Sequence, residues 1–171
     1  MPASPRPPEI PLCWGSAALR RHLVAAALPH DGLRVLDLSR AGVPVVPTAT
    51  MAKGRVWELD PDQAKFDRIV GWLPLHGLGV SDRLRSLARL RGLLVAGGEL
   101  HFTHVTNRRW QLAALATWRN PRDAEAAARR AAEHEADLAD QLRQVGFRSI
   151  GEDAVAWTAR GPVSLFRAGA P

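Results

Sequence analysis

Apolar and polar positions along this chain follow two periods, and the change of period marks its elements. Ser16 caps a predicted helix that runs to about Leu28, with Leu19, Leu23 and Ala26 on one face; Pro29, Asp31 and Gly32 end it. Leu33 to Leu38 reads as a strand bounded by Gly32 and by Ser39, Arg40, Ala41 and Gly42. Arg55 to Leu59 is a second strand candidate. Phe66 to Leu73 is a third, nearly continuous in apolar residues, as in a strand covered on both faces. Ser81 or Asp82 starts a helix with a stripe of Leu84, Leu87, Leu90 or Arg91, and Leu94, with Arg83, Arg85 and Arg89 on other faces, and Gly97-Gly98 stops it. Glu99 to Val105 is the next strand. Helices follow over 108–119 and from Asn120-Pro121 to Gly146, the second a cap followed by proline. Phe147 to Ile150, Val155 to Thr158 and Val163 to Arg167 read as short strands, the last two flanking Gly161-Pro162 as an antiparallel hairpin.

Strands that alternate with helices predict an α/β fold: a doubly wound, mostly parallel sheet with helices on both faces and a C-terminal antiparallel hairpin. The 171 residues suit one domain. Residues 1–13, with five prolines, read as an extended, loosely ordered arm, and 14–171 as the single α/β domain. Residues 39–54 stand apart. They contain Pro44 and Pro47 and no helical periodicity; Val43 to Val46 is read as a short extended piece that the prolines confine to a sheet edge.

Composition narrows the function classes. Hydrophobic residues make up 46% and charged residues 23%, ordinary values for a globular chain. The net charge of +6 is carried almost wholly by arginine, since Lys53 and Lys65 are the only lysines. That bias reads as the codon usage of a GC-rich genome before it reads as a nucleic-acid surface, because basic runs are short and no base-stacking motif accompanies them. Cys13 is the only cysteine, so neither an internal disulfide nor a cysteine zinc site can form. No segment reaches the roughly 18 apolar residues of a membrane span. A signal-peptide pattern is missing, and a cytoplasmic location is expected.

From Lys65 onward the chain resembles the second half of a class I S-adenosylmethionine-dependent methyltransferase. The residues that carry the resemblance are Phe66-Asp67-Arg68-Ile69 opening a strand, the pair Leu75-His76 in the following loop, Leu94-Val95-Ala96-Gly97-Gly98 before the next strand, and Leu142-Arg143-Gln144-Val145-Gly146-Phe147 before the hairpin. Val35-Leu36-Asp37-Leu38 resembles the family's first strand, but the glycine-rich turn that should follow is missing; only Gly42 remains, five residues past Asp37. Glycine lets backbone approach a ligand closely, and the helix after it offers free N–H groups. Residues 39–54 are too few for a helix, a strand and a second helix. One helix, with or without an edge strand, is expected to be lost on the adenosine side.

Open α/β sheets bind ligands beyond the carboxyl ends of their strands. Those ends present Asp37 and Ser39, Glu58 and Asp60, Gly71 and Trp72, and His104 and Thr106. The resemblance makes Asp37, Ser39, Asp60, Gly71 and Trp72 the cofactor candidates and His104, ahead of His76, the candidate general base; against this, Asp37 and Asp60 also serve as ordinary turn residues. His101 and His104 point to opposite faces of a strand, and His134 lies on a helix with no second histidine four residues on, so no metal site is assigned. Trp110 and Trp118, about two helical turns apart, are either core or a contact for a protein partner or a second copy. The resemblance implies a degenerate methyltransferase-like module, non-catalytic or partner-dependent, in which S-adenosylmethionine binding is retained or lost. The alternatives are an active enzyme with a small-molecule methyl acceptor and, third, a basic nucleic-acid-binding module.

Overall fold

The structure, a computed structural model, describes residues 12–27, 32–38, 50–51, 65–75, 78–105, 138–158 and 161–171. Seven strands are described: β1 (Leu12–Trp14), β2 (Val35–Asp37), β3 (Thr50–Met51), β4 (Phe66–Gly71), β5 (Leu94–Val105), β6 (Arg148–Thr158) and β7 (Gly161–Gly169). The helices are α1 (Gly15–Ala27), α2 (Val80–Leu93) and α3, described over 138–144.

The strands form one sheet in the order β1-β6-β7-β5-β4-β2-β3. Pairing is parallel for β1 with β6, β2 with β3 and β4, and β4 with β5; β7 runs antiparallel to both β5 and β6. This is the α/β fold expected from the alternation of periods, with its C-terminal antiparallel hairpin.

Each face of the sheet has its own core. On one face Leu36, Ile69, Leu100, Phe102 and Phe166 pack against Leu87, Leu90 and Leu93 of α2 and Leu138 and Leu142 of α3. The Phe102 and Phe166 rings, paired across β5 and β7, stack with centroids 5.8 Å apart. On the other face Val35, Val70, Ala154, Val163 and Leu165 pack against Leu19 and Leu23 of α1. Neighbouring residues of a strand therefore serve different cores, which is why β4 reads as almost continuously apolar.

Several boundaries differ from the sequence reading. Leu12 and Cys13, assigned to the arm, are the first residues of β1, because the edge of β6 offers a ladder to pair with. Thr50–Met51 is an edge strand that the sequence reading did not assign; Val43–Val46 lies outside the described residues, as do Arg55–Leu59 and the predicted helix over 108–119. Helix α2 starts at Val80 with Gly79 as N-cap rather than at Ser81 or Asp82. Its buried face is Arg83, Ser86, Leu87, Leu90 and Leu93, so Arg83 turns inward, where its guanidinium donates to the Leu78 carbonyl at 3.3 Å. The helix ends at Leu93. Gly97-Gly98 lies instead inside β5, in a bulge between the Phe66–Leu94 and Arg68–Glu99 pairs. The two strands expected over 147–150 and 155–158 are one strand, β6, with register shifts between them.

Candidate functional site

Strands β2, β4 and β5 are parallel, so their carboxyl ends share one edge. The chain leaves β2 for β3 on one side, and leaves β4 for β5 on the other. The crevice between the ends of β2 and β4 is thus a topological switch point, where such sheets take ligands.

Asp37, Gly71 and Trp72 all lie at these strand ends. Asp37 closes β2, paired with Val70 on one side and Met51 on the other. It exposes none of its surface, so a ligand reaches its carboxylate only by displacing what covers it. The Leu38 amide donates to the Val70 carbonyl at 2.8 Å and extends the ladder one step past Asp37. Gly71 is buried and pairs with Phe102, and half-buried Trp72 packs on the α1 side.

His104 is not brought to this group. It lies three residues along β5 from His101, which is level with Asp37 across Val70. By alternation it shares the α2 side of the sheet with Phe102, whereas Asp37 shares the α1 side with Val35. Two strand spacings separate their strands, about 10 Å. His104 is 6% exposed and sits opposite buried Ser164. Ser39, Asp60, Glu58, Thr106, His76, His134, Trp110 and Trp118 lie outside the described residues.

Sequence reasoning missed the turn that follows β4. Leu73 adopts a positive φ of 50°, in the left-handed region that a non-glycine residue rarely enters. Its N–H donates to Thr103 Oγ1 at 2.8 Å, and the Leu78 N–H donates to the Leu75 carbonyl at 3.3 Å. Gly71 is required from within: a Cβ there would stand 2.8 Å from Pro74 Cγ. Pro74 directly after Leu73 was the available sequence signal, because a residue before proline has few conformations open to it.

Three of the four segments that carry the resemblance build the fold. Asp67 accepts the Arg34 N–H on Oδ2 at 2.9 Å, and its own N–H donates to the Arg34 carbonyl at 2.9 Å, which ties the starts of β2 and β4 together. Gly97 has φ 73°, and a Cβ on Gly98 would meet the Val95 carbonyl oxygen at 3.0 Å, so the β5 bulge needs both glycines. Gly146, at φ 89°, ends α3 in a Schellman cap: the Phe147 N–H reaches the Leu142 carbonyl, the Gly146 N–H reaches that of Arg143, and Leu142 and Phe147 enter the same core.

A charged array lies on β4, β5 and the C-terminal hairpin, with its His101 level with Asp37. Arg68 pairs with Glu99 at 3.3 Å, His101 Nε2 lies 3.1 Å from the same carboxylate, and Arg167 pairs with Asp153 at 3.4 Å. Burial holds His101 below the usual histidine range, against the opposing pull of Glu99. At the amino end of β5, residues of α2, β5 and the C-terminus form an open pocket of about 350 Å³, where Ala88, Leu94 and Ala170 stand beside Arg91. Among the described residues no cluster of histidine, cysteine and carboxylate groups could hold a metal, and no helix is long and apolar enough to cross a membrane.

The architecture is that of known methyltransferases. Magnesium protoporphyrin IX methyltransferase from Synechocystis PCC 6803, solved with bound S-adenosylmethionine, superposes with a TM-score of 0.58 at 14% identity, over 91% of this chain and 77% of that one. An S-adenosylmethionine-dependent methyltransferase from Thermotoga maritima gives 0.57 at 15% identity, over 91% and 89%. An N-methyltransferase from Bradyrhizobium japonicum gives 0.58 at 14%, over 91% and 96%. No family model and no curated protein sequence matches the chain. The chain therefore has a class I methyltransferase-like fold, and the low identities carry the fold alone.

Proposed function

We propose that this chain is a cut-down methyltransferase-like module that keeps a reduced S-adenosylmethionine crevice between β2 and β4 and does not complete methyl transfer without a partner. The observation that carries the reading is the connection from β2 to β3. Asp37 and Thr50 belong to adjacent parallel strands, and only twelve residues, two of them prolines, join them. About a dozen residues is the minimum for any parallel crossover. A glycine turn followed by a helix that offers its N–H groups to a ligand needs more, and proline supplies no N–H. The fold-building motifs are present while the ligand-cradling one is missing, as in a chain selected for its shape more than for its turnover. Solved neighbours hold S-adenosylmethionine or S-adenosylhomocysteine, which supports the choice of ligand.

Calorimetric titration of the purified chain with S-adenosylmethionine and S-adenosylhomocysteine tests the first half, with Asp37→Asn as the variant that keeps the side chain's shape. Weak binding that the substitution reduces is expected; silence at millimolar ligand would remove the crevice from the proposal. Transfer of labelled methyl groups by the isolated chain to a panel of small acceptors tests the second half. Catalytic turnover in that assay would overturn the partner-dependent reading in favour of an active enzyme.

A further inference from the structure

We infer that Thr103 is a positioning residue: its hydroxyl, reaching from β5, holds the turn Gly71–Leu75 in the strained shape that makes one wall of the crevice. The role rests on the reading of that crevice as a cofactor site.

Thr103 is fully buried; on that face of the sheet it stands between His101 and Val105 on its own strand, with Leu165 and Val163 across from it. Packing alone would be served as well by valine, which has the same shape. The hydroxyl is explained by one contact, the 2.8 Å hydrogen bond from the Leu73 N–H. Leu73 needs it. A positive φ crowds the leucine Cβ, and the following proline favours the extended region for the residue before it. Such a conformation persists only where its surroundings over-determine it, and strain of this kind collects at ligand clamps. The other restraints, Gly71 under Pro74 and Leu78 on Leu75, are local to the turn. Beyond Gly71, which pairs with Phe102, the Thr103 hydroxyl ties the turn to β5. The turn stands at the carboxyl end of β4, beside the switch point, with half-buried Trp72 and Leu73 packed against the α1-side core. A wall fixed before the ligand arrives spares the ordering cost of binding.

The test is titration of wild type, Thr103→Ser, Thr103→Val and Leu73→Gly with S-adenosylhomocysteine, at a temperature well below each variant's unfolding midpoint. Serine keeps the acceptor and is expected to bind within about twofold of wild type. Valine keeps the packing, loses the hydroxyl, and is expected to bind about tenfold more weakly, the size of one lost hydrogen bond. A purely structural threonine would lower the melting midpoint of the valine variant and leave the affinity of its folded fraction unchanged, which would overturn the proposal. Leu73→Gly guards against a valine variant that does not fold. Glycine takes a positive φ without a restraint, so Thr103→Val added to Leu73→Gly should cost less than threefold in affinity. A full tenfold loss there would also overturn the role. If wild type does not bind, the crevice reading fails and the role falls with it; if wild type binds and valine equals it, only the role falls.

Discussion

Gly71→Ala separates two explanations of a glycine at a ligand edge. If Gly71 is there for a ligand, alanine should fold normally and bind poorly. The structure says that the turn itself needs it. The new Cβ would stand 2.8 Å from Pro74 Cγ and 3.2 Å from both Pro74 Cβ and Cδ. A proline ring cannot swing aside, so the backbone of the turn must shift. Overpacking of a filled interior costs about 1–3 kcal/mol. The φ of Gly71 is not positive, so alanine also recovers about 0.4–1 kcal/mol by restricting the unfolded chain. The net expectation is a loss of about 1–2 kcal/mol, or on the order of 5 °C in the melting midpoint for a domain of this size. Urea unfolding followed by far-ultraviolet circular dichroism measures it, with an unchanged slope as the check that the unfolded state is the same. Gly151→Ala is the control, since its Cβ would meet only ordinary contacts at 3.6 and 3.8 Å; it should be neutral or slightly stabilising. Pro74→Ala in the Gly71→Ala background should recover part of the loss, a coupling of roughly 1 kcal/mol. Equal midpoints for wild type and Gly71→Ala, or strictly additive effects with Pro74→Ala, would refute the packing argument.

Two further outcomes follow from the core and the charged array. Phe102 is fully buried and stacked on Phe166, so Phe102→Ala should cost about 3–5 kcal/mol, and a loss below about 1 kcal/mol in urea unfolding would contradict the packing described. His101 is held below its ordinary value by burial, so the unfolded chain binds the proton more readily. Stability should therefore be full above the ordinary histidine value of about 6.5 and fall as the pH drops below it, until the folded value is also passed. Replacing His101 with Gln should flatten that slope between pH 7 and 5, and a slope unchanged by the substitution would show that other groups cause it.

Local chemistry determined much of this protein from the sequence alone. The alternation of apolar residues located α1, β4 and the C-terminal hairpin, because a strand covered on both faces and a one-sided helix leave different periods. Gly146 announced the end of α3, because only glycine takes the left-handed cap at little cost. The absence of a glycine-rich turn after Asp37 was equally legible, being a matter of which residues stand where. Tertiary structure decided the rest. Arg83 looked like a surface residue and is buried, because the Leu78 carbonyl gives its guanidinium a partner that no periodicity reveals. Gly97-Gly98 looked like a helix stop and is a strand bulge, because β4 supplies a ladder that captures Leu94 first. His104 and Asp37 both read as strand-end residues, yet registers across three strands put them on opposite faces of the sheet. Thr103 carried no signal at all, since its role exists only through Leu73, thirty residues away in the chain and 2.8 Å away in space. Propensity and pattern act over a few residues, and a site is assembled by contacts between strands that the sequence does not place side by side.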